Sequence, residues 1–187
     1  MNFNATKAHV LNRGVTPDSF LQELVLWAKD APDEIFTPNP HYDIYSSVKP
    51  FLGPYTSLLN RKAVMCEVLR VLGGFESSWN WDEGVDTTNQ SSLHNINGQE
   101  TGIFQVSFDS VGFDPSLAEC VNRYCGGVSA KLFIPSMKSN HVFAMEYCAR
   151  LLRFNINWDG PIKRGYMQPW LKRDAVAEFE ELIAPNP

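Results

Sequence analysis

Gly73–Val106 reads GGFESSWNWDEGVDTTNQSSLHNINGQETGIFQV, and the rest of the chain is organised around it. An apolar helix pattern runs into its start and gives way to loop at Glu76, with Phe75 and Trp79 beside the carboxylate. A carboxyl group in apolar surroundings has its charged form disfavoured, so its pKa rises. That is the state a general acid needs to protonate a leaving alcohol near neutral pH. At the far end, the tight TGIFQVS turn places Gln105 where its amide, both donor and acceptor, can enter the same cleft. Between these ends, Asp82 to Glu100 is polar and rich in Asn, Ser and Thr, which predicts a long active-site loop or a small hairpin.

Upstream, the helix is predicted over 61–77 with Asn60 as its cap. Ala63, Val64, Cys66, Val68, Leu69, Val71 and Leu72 leave it little polar surface, so it is expected to be mostly buried. Gly73 and Gly74 each cost about 1 kcal/mol in helix propensity. They either let another group approach the helix closely or end the helix early. Further back, Thr16-Pro17 is a helix start, followed by a stripe of Phe20, Leu21, Leu24, Val25 and Ala28 that Pro32 ends. Residues 32–56 contain Pro32, Pro38, Pro40, Pro50 and Pro54 and read as an extended wrap over the core. Residues 1–15 lack periodicity and read as an extended arm or frayed terminus. Downstream, helices are predicted near 138–153, on Ala144, Met145, Cys148, Leu151 and Leu152, and near 170–183, on Val176, Phe179, Leu182 and Ile183. The expected fold is mainly α, one domain over 1–187, with an N-terminal arm, helix and wrap over 1–56 and a catalytic core over 57–187.

The order FESSWNW, then GIFQVS, then NHVFAMEYCARLLRF from Asn140 to Phe154 resembles the lysozyme-like superfamily, in particular soluble lytic transglycosylases and goose-type lysozymes. The likeness spans roughly 60–165. It implies that Glu76 is the catalytic acid, that Ser77 bonds the acid or a sugar hydroxyl, and that Gly102, Ile103, Phe104 and Gln105 form a groove-lining turn. Trp79 is carried as a sugar-stacking residue. Inverting hydrolysis requires a second carboxylate to activate water; Glu100, just before the Gln105 turn, and Asp86, in the loop that goose-type enzymes use, are the candidates. A transglycosylase needs no such base. Its Tyr-Asn pair is absent here, where the corresponding stretch reads NINWDGPIKRG and Asn157 is the nearest substitute.

The resemblance implies a peptidoglycan glycoside hydrolase, a muramidase, acting on the β-1,4-linked glycan strands of bacterial walls. An N-acetylglucosaminidase, a lytic transglycosylase and a non-catalytic lysozyme-fold binder remain alternatives. The net charge of −5 over 187 residues argues against nucleic-acid and membrane partners. MNFNATKAHVLNRG carries no apolar h-region, and no stretch reaches the roughly 18 apolar residues of a membrane span. The expectation is therefore an antibacterial effector, of the type VI secretion kind, acting in a target cell's periplasm without a standard signal peptide, and matched by an immunity protein that occludes the groove; a phage endolysin is the other route. No cofactor is expected: His9, His41, His94 and His141 show no metal-binding spacing, and the glycines of 80–100 miss the EF-hand positions. Cys66 and Cys148 read as buried thiols, whereas Cys120 and Cys125, in a loop-like ECVNRYCGG, are placed where a small disulfide would close.

Overall fold

The computed structural model describes residues 1–85, 94–154 and 160–185. They form a mainly helical fold of α1 (Asp18–Asp30), α2 (Ile44–Leu52), α3 (Leu58–Ser77), α4 (Pro115–Cys125), α5 (Ala130–Ser139), α6 (His141–Leu152) and α7 (Arg173–Ile183). Among the described residues, β pairing is confined to the isolated bridges His9–Val15 and Thr101–Val106. The expected loop or hairpin over 82–100 lies partly at 86–93, outside the described residues.

The central element is α3, packed most extensively against α7 and flanked by α1 and α6. It starts earlier than predicted, because the Ser57 hydroxyl accepts from Asn60 N at 3.0 Å and so caps Leu58. The side chain of Asn60 instead donates to Glu180 Oε2 at 3.0 Å, joining α3 to α7. Burial on almost every face explains why the apolar run of this helix shows no stripe.

Two charges interrupt that run, and both are fully buried. Arg70 grips Glu67 through two bonds of 2.7 Å. Isolated charges cannot be buried at this depth, so the remaining donors and acceptors must be satisfied too. Arg70 also donates to Ala8 O, Thr16 Oγ1 and Trp170 O at 3.1, 3.3 and 3.2 Å, and Glu67 accepts from Lys172 N at 2.8 Å. One ion pair thus clips the N-terminal segment and the approach to α7 onto the middle of α3.

Several expectations are corrected. The N-terminal segment is not frayed: Asn4 N and Thr6 N each donate to the Glu178 carboxylate at 2.7 Å, and Thr6 and Val10 are fully buried. Within 32–56, α2 forms despite Pro50, because Asp43 and Ser46 make a capping box and Ile44, Tyr45, Val48 and Leu52 are buried at helical spacing. ECVNRYCGG is not a loop. It belongs to α4, started by the Asp114 cap and Pro115 and stopped by left-handed Gly126 at φ +71°. All four cysteines are free thiols, so Cys120 and Cys125 do not form the disulfide weighed above. The helix predicted near 138–153 divides at Asn140, whose side chain caps α6 by accepting from Phe143 N at 3.0 Å.

Candidate active site

Glu76 occupies the last turn of α3, and the way this helix ends decides where the carboxylate points. Ser78 and Trp79 both take left-handed backbone conformations, at φ 55° and 61°. Non-glycine residues adopt this conformation rarely and at a cost, and such strain clusters at functional sites. The reversal sends Ser78 N and Trp79 N back to Gly74 O and Gly73 O, at 3.1 and 3.0 Å. It also lays the Trp79 ring over the helix it has just left, where its indole N–H donates to Arg70 O at 2.9 Å. A Cβ on Gly74 would lie 2.7 Å from that ring and 3.0 Å from Val10. The glycine pair therefore accommodates Trp79 and Val10, not a sugar, and α3 continues through it to Ser77.

The second wall is the turn closed by the Thr101–Val106 bridge. Gly102 has φ +70° and a Cβ there would come within 2.9 Å of Met137 O, so this position requires glycine. Gln105 has φ +46°, and its amide nitrogen donates to Gly102 O at 2.9 Å. Fixed in this way, the Gln105 side chain lines an open cleft of about 340 Å³ together with Glu76, Glu100, Gly160, Pro161, Arg164 and Tyr166.

Within the cleft Glu76 is half-buried, and no described residue donates a hydrogen bond to its carboxylate or pairs with it. Burial pushes its pKa up to about 7, and the Glu100 charge adds to the rise; Arg13 and Arg164 pull it the other way. Arg13 is held at the end of α3 by donating to Phe75 O at 3.3 Å. Behind the acid lies the fully buried Cys148 of α6, whose thiol is pushed up by burial and then by the Glu76 charge. The arrangement provides a carboxylic acid whose pKa is raised to about 7, in one cleft with a second carboxylate and an amide.

The structure brings Glu76, Glu100 and Gln105 to one cleft and removes two other candidates from it. Ser77 is buried at 7% exposure; its hydroxyl lies 2.8 Å from Ile103 O and 3.2 Å from Gly73 O, and it accepts from Asn80 N. Its role is to tie the end of α3 to the Gln105 turn, in place of the expected contact with acid or sugar. Trp79, 6% exposed and packed inward, offers no stacking face, which corrects its assignment to sugar binding. Asp86 and Asn157 lie outside the described residues. Arg13 and Arg164, which act on Glu76, and Tyr166, which lines its cleft, were not legible in sequence because they come from distant segments and belong to no local pattern. Comparison of the chain with protein-family models, with curated proteins and with solved structures finds no match.

Proposed function

We propose that the protein is a glycoside hydrolase of peptidoglycan, a muramidase, in which Glu76 is the general acid. The observation that carries this reading is the Glu76 carboxyl itself, half-buried, with no hydrogen-bonding partner among the described residues, and with its pKa raised by burial to about 7 inside an open cleft. A group in that state protonates the oxygen of the leaving sugar as the glycosidic bond breaks. Glu100, in the same cleft, is the carboxylate that accepts a proton from the attacking water. Its presence favours hydrolysis over transglycosylation, in which the muramyl C6 hydroxyl is the nucleophile and no such base is needed. Gln105 holds an N-acetyl or hydroxyl group beside the acid. The resemblance of FESSWNW and GIFQVS to lysozyme-like enzymes supports the choice of polymer. In this reading the protein acts in the periplasm of a target cell as an antibacterial effector.

Reducing-end analysis of digested sacculi tests the proposal. New reducing muramic acid is the expected product. New reducing glucosamine would make it a glucosaminidase, anhydromuropeptides a transglycosylase, and the absence of any product a binding protein.

A further inference from the structure

The arginines of this chain are almost all committed to internal contacts. Arg13, Arg61, Arg70, Arg123, Arg150, Arg153 and Arg173 each donate to a carbonyl or a carboxylate. Arg164 is the exception: its guanidinium makes no hydrogen bond or ion pair with any described residue, and it is exposed on the wall of the Glu76 cleft. The turn that presents it is ordered by its own backbone. Arg164 N, Gly165 N and Tyr166 N donate to Gly160 O, Ile162 O and Pro161 O at 3.4, 3.1 and 2.9 Å. Ile162 anchors that turn in the core at 8% exposure.

This placement matters because the cleft is otherwise acidic. Glu100 and, once it ionises above about pH 7, Glu76 contribute negative charge, and the whole chain carries −5, so an anionic ligand meets repulsion within the roughly 8 Å over which salt screens. Arg164 is the cation among the described lining residues. A planar guanidinium with a free fork of N–H donors matches a carboxylate through two parallel bonds. A neutral sugar gains nothing comparable from it. In peptidoglycan every second sugar carries an acidic arm on its 3-oxygen, ending in the lactyl carboxylate or in the carboxylates of a stem peptide. We infer that Arg164 is the specificity-determining residue of the cleft, receiving the carboxylate of the muramyl arm and so selecting carboxylate-bearing glycan over neutral amino-sugar polymers. The inference rests on the reading of the cleft as a peptidoglycan site.

The test is a binding measurement on the full chain carrying Glu76→Gln, which holds ligand without consuming it. Two tetrasaccharides are titrated by calorimetry: a peptide-free peptidoglycan fragment with its lactyl carboxylates, and the same fragment with those carboxyls reduced to alcohols. The carboxylate form is expected to bind about tenfold more tightly, as loss of one charge-assisted contact of about 1.4 kcal/mol implies. Adding Arg164→Ala is expected to erase the preference, and Arg164→Lys to restore part of it, with melting temperature unchanged in both. A merely structural role for Arg164 would weaken both ligands equally, and that result also overturns the inference. Equal affinity for the two forms, or a preference that survives Arg164→Ala, overturns the inference and leaves the glycan reading standing. Failure to bind either form overturns both.

Discussion

The Ser77 hydroxyl lies 2.8 Å from the carbonyl oxygen of Ile103 and donates to it, joining the helix end that carries Glu76 to the turn that carries Gln105. The acid and the amide therefore keep their spacing through one buried contact between neighbours of the two side chains. Ser77→Ala is expected to cost about 1–2 kcal/mol of stability. Its loss of activity in the folded fraction is expected to exceed that of substitutions elsewhere in α3 of equal ΔΔG. Denaturant midpoints and specific activities measured on the same preparations check this. A variant with normal specific activity would show that the contact serves stability alone.

Glu76→Gln is expected to lower turnover by at least ~10²-fold, the lower range of general acid catalysis, and to raise stability at the same time. The sign follows from the raised pKa. Between the unfolded value of 4.5 and the folded value of about 7 the native state holds the extra proton. Wild-type stability therefore falls as pH rises through that window, by on the order of 2–3 kcal/mol at its end. Gln carries no charge and escapes the fall. Thermal melts of both proteins at pH 4 and pH 8 are expected to coincide at the lower pH and to favour the variant at the higher. A wild-type advantage at pH 8 would contradict a carboxyl whose pKa is raised by burial.

The alkaline limb of the activity profile is expected near pH 7, where Glu76 loses its proton. Glu100→Gln removes a charge that raises Glu76 and moves this limb to lower pH; Arg13→Ala removes one that lowers it and moves the limb upward. Plots of kcat/KM against pH for the three proteins give the answer. If Glu100 also serves as the base, its variant loses kcat at every pH, whereas a purely electrostatic neighbour leaves the plateau intact.

For Gly74→Ala the contacts predict a loss. The new methyl meets the Trp79 ring at 2.7 Å and Val10 at 3.0 Å, and the ring is pinned by its bond to Arg70 O. Overpacking of this kind costs about 1–3 kcal/mol, against the roughly 1 kcal/mol that alanine gains in helix propensity. A variant more stable than wild type in urea would show that Trp79 yields easily.

If the proposed function holds, the protein endangers its maker only when neighbouring cells inject it into the maker's periplasm, so a periplasmic immunity protein is expected beside it. Such an inhibitor is expected to plug the cleft, placing a polar side chain against Glu76 and Gln105, and to bury about 1,200–2,000 Å² in total. Directing the protein to the periplasm with and without the adjacent open reading frame tests this. Equal lysis in both cultures would move the weight to an endolysin.

Much of this site was legible beforehand, for local reasons. A buried helix running into Phe75-Glu76 and a glycine turn ending in Gln105 both announce themselves within a few residues. Trp79 did not, because its inward path depends on two consecutive left-handed residues, Ser78 and Trp79, neither of which is glycine. The same reversal buries Ser77 and turns it from a groove residue into a tie. Prolines hid α2: Pro50 masked a capping box whose pattern, Asp43 to Ser46, was present. Cysteines and glycines drew attention from α4, although Asp114-Pro115 is a plain helix start. Arg13 and Arg164 lay beyond any local reading, since only the folded chain sets them beside Glu76.

The Glu67–Arg70 clip has a consequence for the order in which the protein is made. Its partners include Trp170 O and Lys172 N, which leave the ribosome about a hundred residues after the helix they complete. Until then α3 carries a charge pair that is only partly solvated by protein, and the helix bearing the acid has reason to stay loose. A nascent chain halted short of Lys172 therefore lacks a partner of that clip, so the order of synthesis sets when α3 gains its full support.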